Sequence, residues 1–355
     1  MFSKPAIASS RGLSIVEVMV GLVVALLVSL TAVNSAISFT AAQRQGVGAV
    51  GSALNSAAVL SALKDDVAVA GLGFFGDSTY LCNTLNFSAN STVVANGTAF
   101  SPLQVNRTAA GDTIDTVFGT RVESGANVRL RAASNGTSSV LESYLPVAVG
   151  EAVLLAPAVP DNARPCMVRT VTQVVPSTAV SPQQLAFDAT GLHNVVVFAT
   201  NPGFTDESRI TQLGALNWSR YRVVGGNLVL ERPLQNTQAI IARNVISFRM
   251  QYGVSASAGN DTLQAWVDPA VGPLGDFSSL NATNLPQVRA VRIGLIVRSP
   301  QPEKRDAAGN CVATVTKPAL WGATPENLGN ADWACWRYRT SSAVVPMRNL
   351  VLGQQ

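Results

Sequence analysis

Hydrophobic and polar positions change period twice along the chain. From Val18 to Ala42 no charged residue occurs, and a helix of that length, rising 1.5 Å per residue, crosses a bilayer. Lys4 and Arg11 precede the run, so the positive-inside rule keeps the N-terminus in the cytoplasm and exports the remainder of the chain. Beyond Arg44 the pattern becomes amphipathic. Val47, Val50, Leu54, Ala57, Leu60, Leu63, Val67 and Ala70 recur at three- and four-residue spacing, with Lys64, Asp65 and Asp66 off the stripe. The spacing predicts one helix from Leu13 to Ala70, roughly 87 Å long if continuous, ended by Gly71-Leu72-Gly73. Within it, Gly46-Val47-Gly48-Ala49-Val50-Gly51 fits G-x-G-x-x-G. It follows a membrane helix and lacks a βαβ context, so it reads as a hinge or locally melted stretch, not a nucleotide loop.

After residue 75 the pattern turns to short strands and polar turns. Strands are predicted at 152–156, 167–175, 194–200, 217–224, 227–231, 239–252, 288–298 and 343–352. Gly225-Gly226 is a hairpin turn between two of them. Val291, Ile293, Leu295 and Val297 alternate with Arg292, Gly294 and Arg298, the mark of a half-buried antiparallel strand. Asn/Ser/Thr/Gly-rich stretches at 83–98, 132–139 and 255–284 read as long surface loops or insertions, which could divide the sheet region into two lobes. The fold class is α+β.

Composition places this body outside the cytosol. The chain is 47% hydrophobic and only 13% charged, with 28 Gly and 18 Pro, too apolar for a disordered chain and suited to exported strands and loops. Four cysteines, Cys82, Cys166, Cys311 and Cys335, are spaced too widely for a compact zinc site and point to two disulfides. If Cys311 bonds Cys335, Cys82 and Cys166 form the other bridge, although four cysteines permit three connectivities. Trp321, Trp333 and Trp336 cluster about the last two cysteines. They read as a satellite core beneath a stapled loop, or alternatively as an exposed patch touching a neighbour.

No catalytic residue, metal or cofactor is expected. His193, the one histidine, begins an apolar run without a nucleophile elbow and reads as structural. Asp112 with Asp115, and Asp206 with Glu207, read as solvated loop acids. The basic residues are 21 Arg and four Lys with no block among them, so nucleic acid is not an expected partner. Arg289, Arg292 and Arg298 with Arg337, Arg339 and Arg348 would share a face if the two terminal strands pair, and read as solvated strand edges.

Glu17 is not explained by a plain anchor, since an unpaired acid in a bilayer costs ~3 kcal/mol or more. Ser10-Arg11-Gly12, then Leu13-Ser14-Ile15-Val16-Glu17-Val18 and an apolar run, resembles a type IV prepilin leader. The resemblance implies that prepilin peptidase cuts between Gly12 and Leu13, that Leu13 becomes the N-methylated first residue, and that Glu17 stands fifth. Leu13 departs from the commoner phenylalanine. The new α-amino group, with a pKa near 8, keeps its charge when methylated. Glu17 lies four residues, roughly 6 Å of axial rise, along the helix, so its carboxylate can meet the amine of a neighbouring subunit staggered by one turn. A purely local role at the helix N-terminus is worth about 0.3–1 kcal/mol.

At the other end, Val288-Arg289-Ala290-Val291-Arg292-Ile293-Gly294-Leu295-Ile296-Val297-Arg298-Ser299 and the stretch from Arg337-Tyr338-Arg339 through Val344-Val345-Pro346-Met347-Arg348-Asn349-Leu350 resemble the C-terminal part of PilW-type minor pilins. Together the two ends imply a pilin-like fold, a long protruding N-terminal helix packed on an antiparallel sheet. Residues 1–12 would be the leader, 13–42 the transmembrane and assembly half of the helix, 43–72 its amphipathic half and 73–355 a periplasmic β-rich domain. The implied protein is a minor pilin, held in the inner membrane and then built into the tip of a type IV pilus whose assembly it primes. Its partners would be prepilin peptidase, other minor pilins, the major pilin and a large tip adhesin. A minor pseudopilin of a type II secretion system would share the leader. Outside that superfamily, the alternative is a membrane-anchored periplasmic binding protein that never polymerises.

Overall fold

The computed structural model describes residues 14–74, 82–90, 92–108, 111–121, 128–159, 161–194, 198, 203–281, 283–306, 308–322, 324–329 and 331–347, with backbone alone at 37, 38, 40–51 and 52–55. Two compact units divide the chain, Met1–Gly51 and Ser52–Gln355. The helix α1 (Ile15–Val69) begins in the first and ends in the second.

In the first unit the described side chains from Ile15 to Ala36 are all exposed, and this stretch has a mean hydropathy of 2.5. Its hydroxyls fold back on the helix, Ser29 donating to the Ala25 carbonyl and Thr31 to that of Val28, which satisfies them without water. The backbone remains helical through Gly46, Gly48 and Gly51, so the expected melted stretch is regular helix despite a propensity cost near 1 kcal/mol per glycine.

In the second unit one stripe of α1 is buried: Ser56, Val59, Leu60, Leu63 and Val67, followed by Ala70 beyond the helix end. Ala57, expected on that stripe, is exposed. Gly71 and Gly73 take φ of 84° and 88°, left-handed values that favour glycine and stop the helix.

Among the described residues twenty strands follow. The first half contains β1 (Thr84–Ala89), β2 (Thr92–Ala99), β3 (Leu103–Thr108), β4 (Gly111–Gly119), β5 (Val128–Arg129), β6 (Ser138–Val140), β7 (Ala152–Ala156), β8 (Cys166–Thr170), β9 (Gln173–Val175) and β10 (Gln184–Ala186). The second contains β11 (Arg209–Gly214), β12 (Leu216–Val224), β13 (Asn227–Arg232), β14 (Thr237–Ala242), β15 (Val245–Val254), β16 (Ala265–Val267), β17 (Val271–Gly272), β18 (Gly275–Asp276), β19 (Val288–Arg298) and β20 (Tyr338–Pro346). They form sheets ordered β2-β1-β8-β7-β11-β5, β14-β13-β12-β4-β3, β16-β15-β19-β20, β6-β10-β9 and β17-β18. The described pairs are antiparallel except β1 with β8. The α+β fold class is met.

Two hydrophobic clusters share the six-stranded sheet. Along β7, Ala152, Leu154 and Ala156 enter the cluster that contains the helix stripe, while Val153 and Leu155 enter a second with Met167, Leu185 and Phe204. Burial on both faces explains why β7 is an unbroken apolar run. The helix exit joins the five-stranded sheet directly: Gly71 donates to the Val117 carbonyl, and Gly119 donates back to that of Leu72, each at 2.9 Å.

Several strand boundaries differ from the periodic reading. Residues 83–98 are not a surface loop but the hairpin β1–β2, and every residue of β1 is buried. The run 239–252 is two strands, because Asn244 with φ of 57° turns the chain out of one sheet and into the next. The run 167–175 likewise divides into β8 and β9. The last strand starts earlier than expected, at Tyr338, and 348–352 lie outside the described residues. So do 195–197, 199 and 200, while Asn194 is in a turn. Gly225 and Gly226, with φ of 56° and 74°, make the expected two-residue hairpin between β12 and β13.

Candidate functional site

Of the residues of the leader reading, Glu17 is described and stands at the start of α1. Gly12 and Leu13 lie outside the described residues. Glu17 occupies the first turn, and its backbone N–H donates to the Ser14 carbonyl at 2.9 Å. The acid thus sits at the positive end of the helix dipole, heading an apolar surface that nothing in the first unit covers.

At the other end of α1, Tyr221 of β12 donates its hydroxyl to Asp66 at 2.6 Å. Burial, reinforced by the neighbouring carboxylate, pushes the Tyr221 phenol above its ordinary value, so it remains a donor. Ser341 of β20 donates to the hydroxyl of Ser56 at 3.3 Å. These bonds fix the register of the buried stripe against two sheets. Asp66 was legible only as a residue off the stripe.

Asp206 and Glu207 are exposed in a turn, as expected of solvated loop acids, whereas Asp112 and Asp115 are built into the fold. Asp112 has a fully buried side chain, accepting from Arg107 Nε at 3.0 Å and Nη2 at 2.9 Å, from Arg249 Nη1 at 3.3 Å and from the Met250 backbone at 2.7 Å. It ties β4 to β3 and to β15 of another sheet. Burial pulls the Arg107 guanidinium down, but Asp112 and Asp268 more than offset it and hold the group above its ordinary value. Asp115 Oδ1 accepts from Trp218 Nε1 at 2.8 Å and from Arg220 Nε at 2.7 Å.

His193 is buried, its Nδ1–H donating to the Ser88 carbonyl at 2.8 Å. Burial lowers its pKa, the Ser88 bond opposes that, and the Arg169 charge adds to it. Arg169 in turn donates to the carbonyls of Gly136 and His193 at 3.1 and 3.0 Å. This is a backbone clasp between β1, β8 and the loops beside them.

The C-terminal arginines divide: Arg339 is exposed on the edge strand β20 as expected, and Arg337 is exposed and paired with Glu303, whereas Arg289, Arg292 and Arg298 of β19 are not solvated edges. Pairing of β19 with β20 occurs in the expected sense, yet Arg289 is buried and donates to the carbonyls of Asn260, Pro286 and Ala258. Arg292 lies between Trp266 and Trp321 at 4.8 and 4.6 Å from the ring centroids. Arg298 covers Trp336 at 4.2 Å, and Lys317 covers Trp333 at 5.6 Å. Each tryptophan is half-buried under a cation, a stabilising pair worth about 0.5–2 kcal/mol, so these rings form neither a closed satellite core nor an open aromatic patch. Arg348 lies outside the described residues.

Cys82 is bonded to Cys166 and Cys311 to Cys335, with Cα–Cα separations of 5.5 and 4.5 Å. Asp332 approaches the second pair, but both thiols are spent in the bridge.

Comparison with known proteins finds a likeness in the C-terminal strands. Residues 215–349 match the family of type IV pilus-assembly protein W, PilW. The match starts at β12 and takes in every described strand through β20, including both stretches on which the sequence resemblance rests except their last residue, Leu350. Among solved structures the chain is similar to a type IV-like pilin from Thermus thermophilus, at 12% identity and a TM-score of 0.34, over 84% of this chain and 96% of that one. No curated protein matches.

Proposed function

We propose that this protein is a minor pilin that enters a type IV pilus through α1, after prepilin peptidase removes residues 1–12 and Leu13 is methylated. The observation that carries the reading is the stretch Ile15–Ala36, exposed on all sides, strongly apolar, and uncharged except for Glu17 at its head. Such a surface is stable only in lipid or among like helices. A single acid there supports a pairing role toward the new amino terminus of a neighbouring subunit. In this reading residues 73–355 lie in the periplasm before assembly. The PilW match supports a pilus over a secretion pseudopilus, and a place at the tip beside other minor pilins and an adhesin rests on the same likeness.

The test is the mature N-terminus. Mass spectrometry of the chain purified from membranes and from sheared filaments is expected to find N-methyl-Leu13 as the first residue. A chain that keeps Met1 in both fractions overturns the proposal. Deletion is expected to lower surface piliation and leave secreted enzymes unchanged; the opposite pattern assigns the protein to a secretion pseudopilus.

A further inference from the structure

A pocket of about 290 Å³ opens between the hairpin β1–β2 and the sheet face formed by β3, β4 and β12, close to the lower end of the usual range for small-molecule sites, roughly 300–1,000 Å³. Strand register builds its floor: Trp218 lies opposite Val117, and Gln104 opposite Asp115. Its walls are largely apolar; of the four rings among them Phe100 and Trp218 are half-buried, while Phe74 and Phe87 are buried. Phe74 and Phe100 pack with centroids 5.1 Å apart, and Phe87 and Trp218 join them in the lining.

The polar groups of the lining divide into two kinds. Gln104 is consumed by the fold, its amide donating to the Val105 and Ser278 carbonyls while its oxygen accepts from Leu280. Asp115 spends only Oδ1, on Trp218 and Arg220. Among the described residues its Oδ2 makes no hydrogen bond, and neither do the side chains of Asn106, Thr98 and Ser279, all in the lining.

We propose that this pocket binds a single neutral sugar ring. Charge selects against the alternatives. Arg220 already balances Asp115, so no unmet charge calls for a cation, and an anion would meet the carboxylate. A hydrocarbon would desolvate Oδ2 and give it no donor. A pyranose has both required surfaces: a face of C–H groups that buries apolar area against the rings, and hydroxyls that donate to Oδ2 and exchange hydrogen bonds with Asn106, Thr98 and Ser279. The source is either a free sugar or the terminal residue of a glycan chain.

The experiment is saturation-transfer NMR on the full chain in a detergent without a sugar headgroup. The probes are glucose, galactose and N-acetylglucosamine, each free and as its methyl glycoside, with hexanol as the apolar control. Transfer to at least one sugar and none to hexanol is expected. Preference for the methyl glycoside indicates a chain terminus, and preference for the unsubstituted sugar a free ligand. Thr98→Trp, at an exposed rim position of β2, fills the mouth and is expected to abolish transfer with an unchanged unfolding midpoint. Asn106→Leu, at an exposed position of β3, is the second variant and is expected to weaken binding at least fivefold. Absence of transfer to all sugars, transfer to hexanol instead, or sugar transfer unaffected by both folded variants overturns the proposal.

Discussion

Leu26 and Leu63 stand in one helix, yet the first is 64% exposed and the second wholly buried. Around Leu26 the helix is apolar on every side. Around Leu63 the buried positions form a stripe, with Ala57, Lys64 and Asp65 left outside. A stripe can be covered by the sheets that the same chain supplies; a cylinder of apolar side chains needs lipid or other helices. The backbone is the same and the required partner is not. Substitutions in the two stretches should therefore register in different measurements.

The largest effect belongs to Glu17→Val. If Glu17 pairs as proposed, removing one member of that buried charge pair costs about 3–5 kcal/mol, more than about a hundredfold in association, so filament incorporation should fall by that factor while membrane insertion and the unfolding midpoint of the body stay unchanged. Normal incorporation would break the comparison at its first term. Next is Leu63→Ala, expected to destabilise the body by about 2–5 kcal/mol in chemical unfolding of the full chain, against less than about 0.5 kcal/mol for Leu26→Ala. Equal losses at the two sites would show that they do not differ in kind.

Tyr221→Phe sharpens the same contrast, because it removes the hydrogen bond to Asp66 without emptying the core. A loss of about 1.5–3 kcal/mol is expected, the range for a bond to a charged group. The smallest effect is set by pH and confined to the body. Burial holds the folded pKa of His193 below 6.5, so its neutral form stabilises the fold fully above that pH, and this contribution is lost as pH falls through 6.5 toward the folded value. Since the chain has one histidine, a single ring signal titrated by NMR should have its midpoint below 6.5. A midpoint at or above 6.5 would remove the burial argument.

The helix was readable because period and burial agree over Leu60, Leu63, Val67 and Ala70; the alternation in β19 marked an antiparallel strand correctly, but nine of its eleven residues are buried, so the strand is covered on both faces and not half-buried as expected. The hairpin β1–β2 was not readable. Thr84, Asn86 and Ser88 are buried polar residues, satisfied by tertiary partners: the Ser88 hydroxyl donates to the His193 carbonyl and the Thr84 hydroxyl to that of Asn162, both far along the chain, while Asn86 Oδ1 accepts from Gly97 on the facing strand. Composition records their polarity and is silent about those partners. Asp112 failed for the same reason, since the cations that permit its burial come from β3 and β15. The arginines near the C-terminus were placed on paired strands correctly, but their tryptophan partners, Trp266 and Trp321 above all, reach them from loops and short strands that no local pattern connects. Of the pocket, no residue was singled out for a ligand; Trp218 and Asp115 become neighbours only through the pairing of β4 with β12.

The Cys82–Cys166 bridge has a mechanical consequence. It closes a segment of 84 residues beside the place where β1 meets β8 in parallel register, Leu85 opposite Cys166. A pull transmitted along the backbone therefore passes through the sulfur atoms and skips everything between them. In a chain placed under tension, that crosslink withholds slack on the order of 280 Å, which reduction would release.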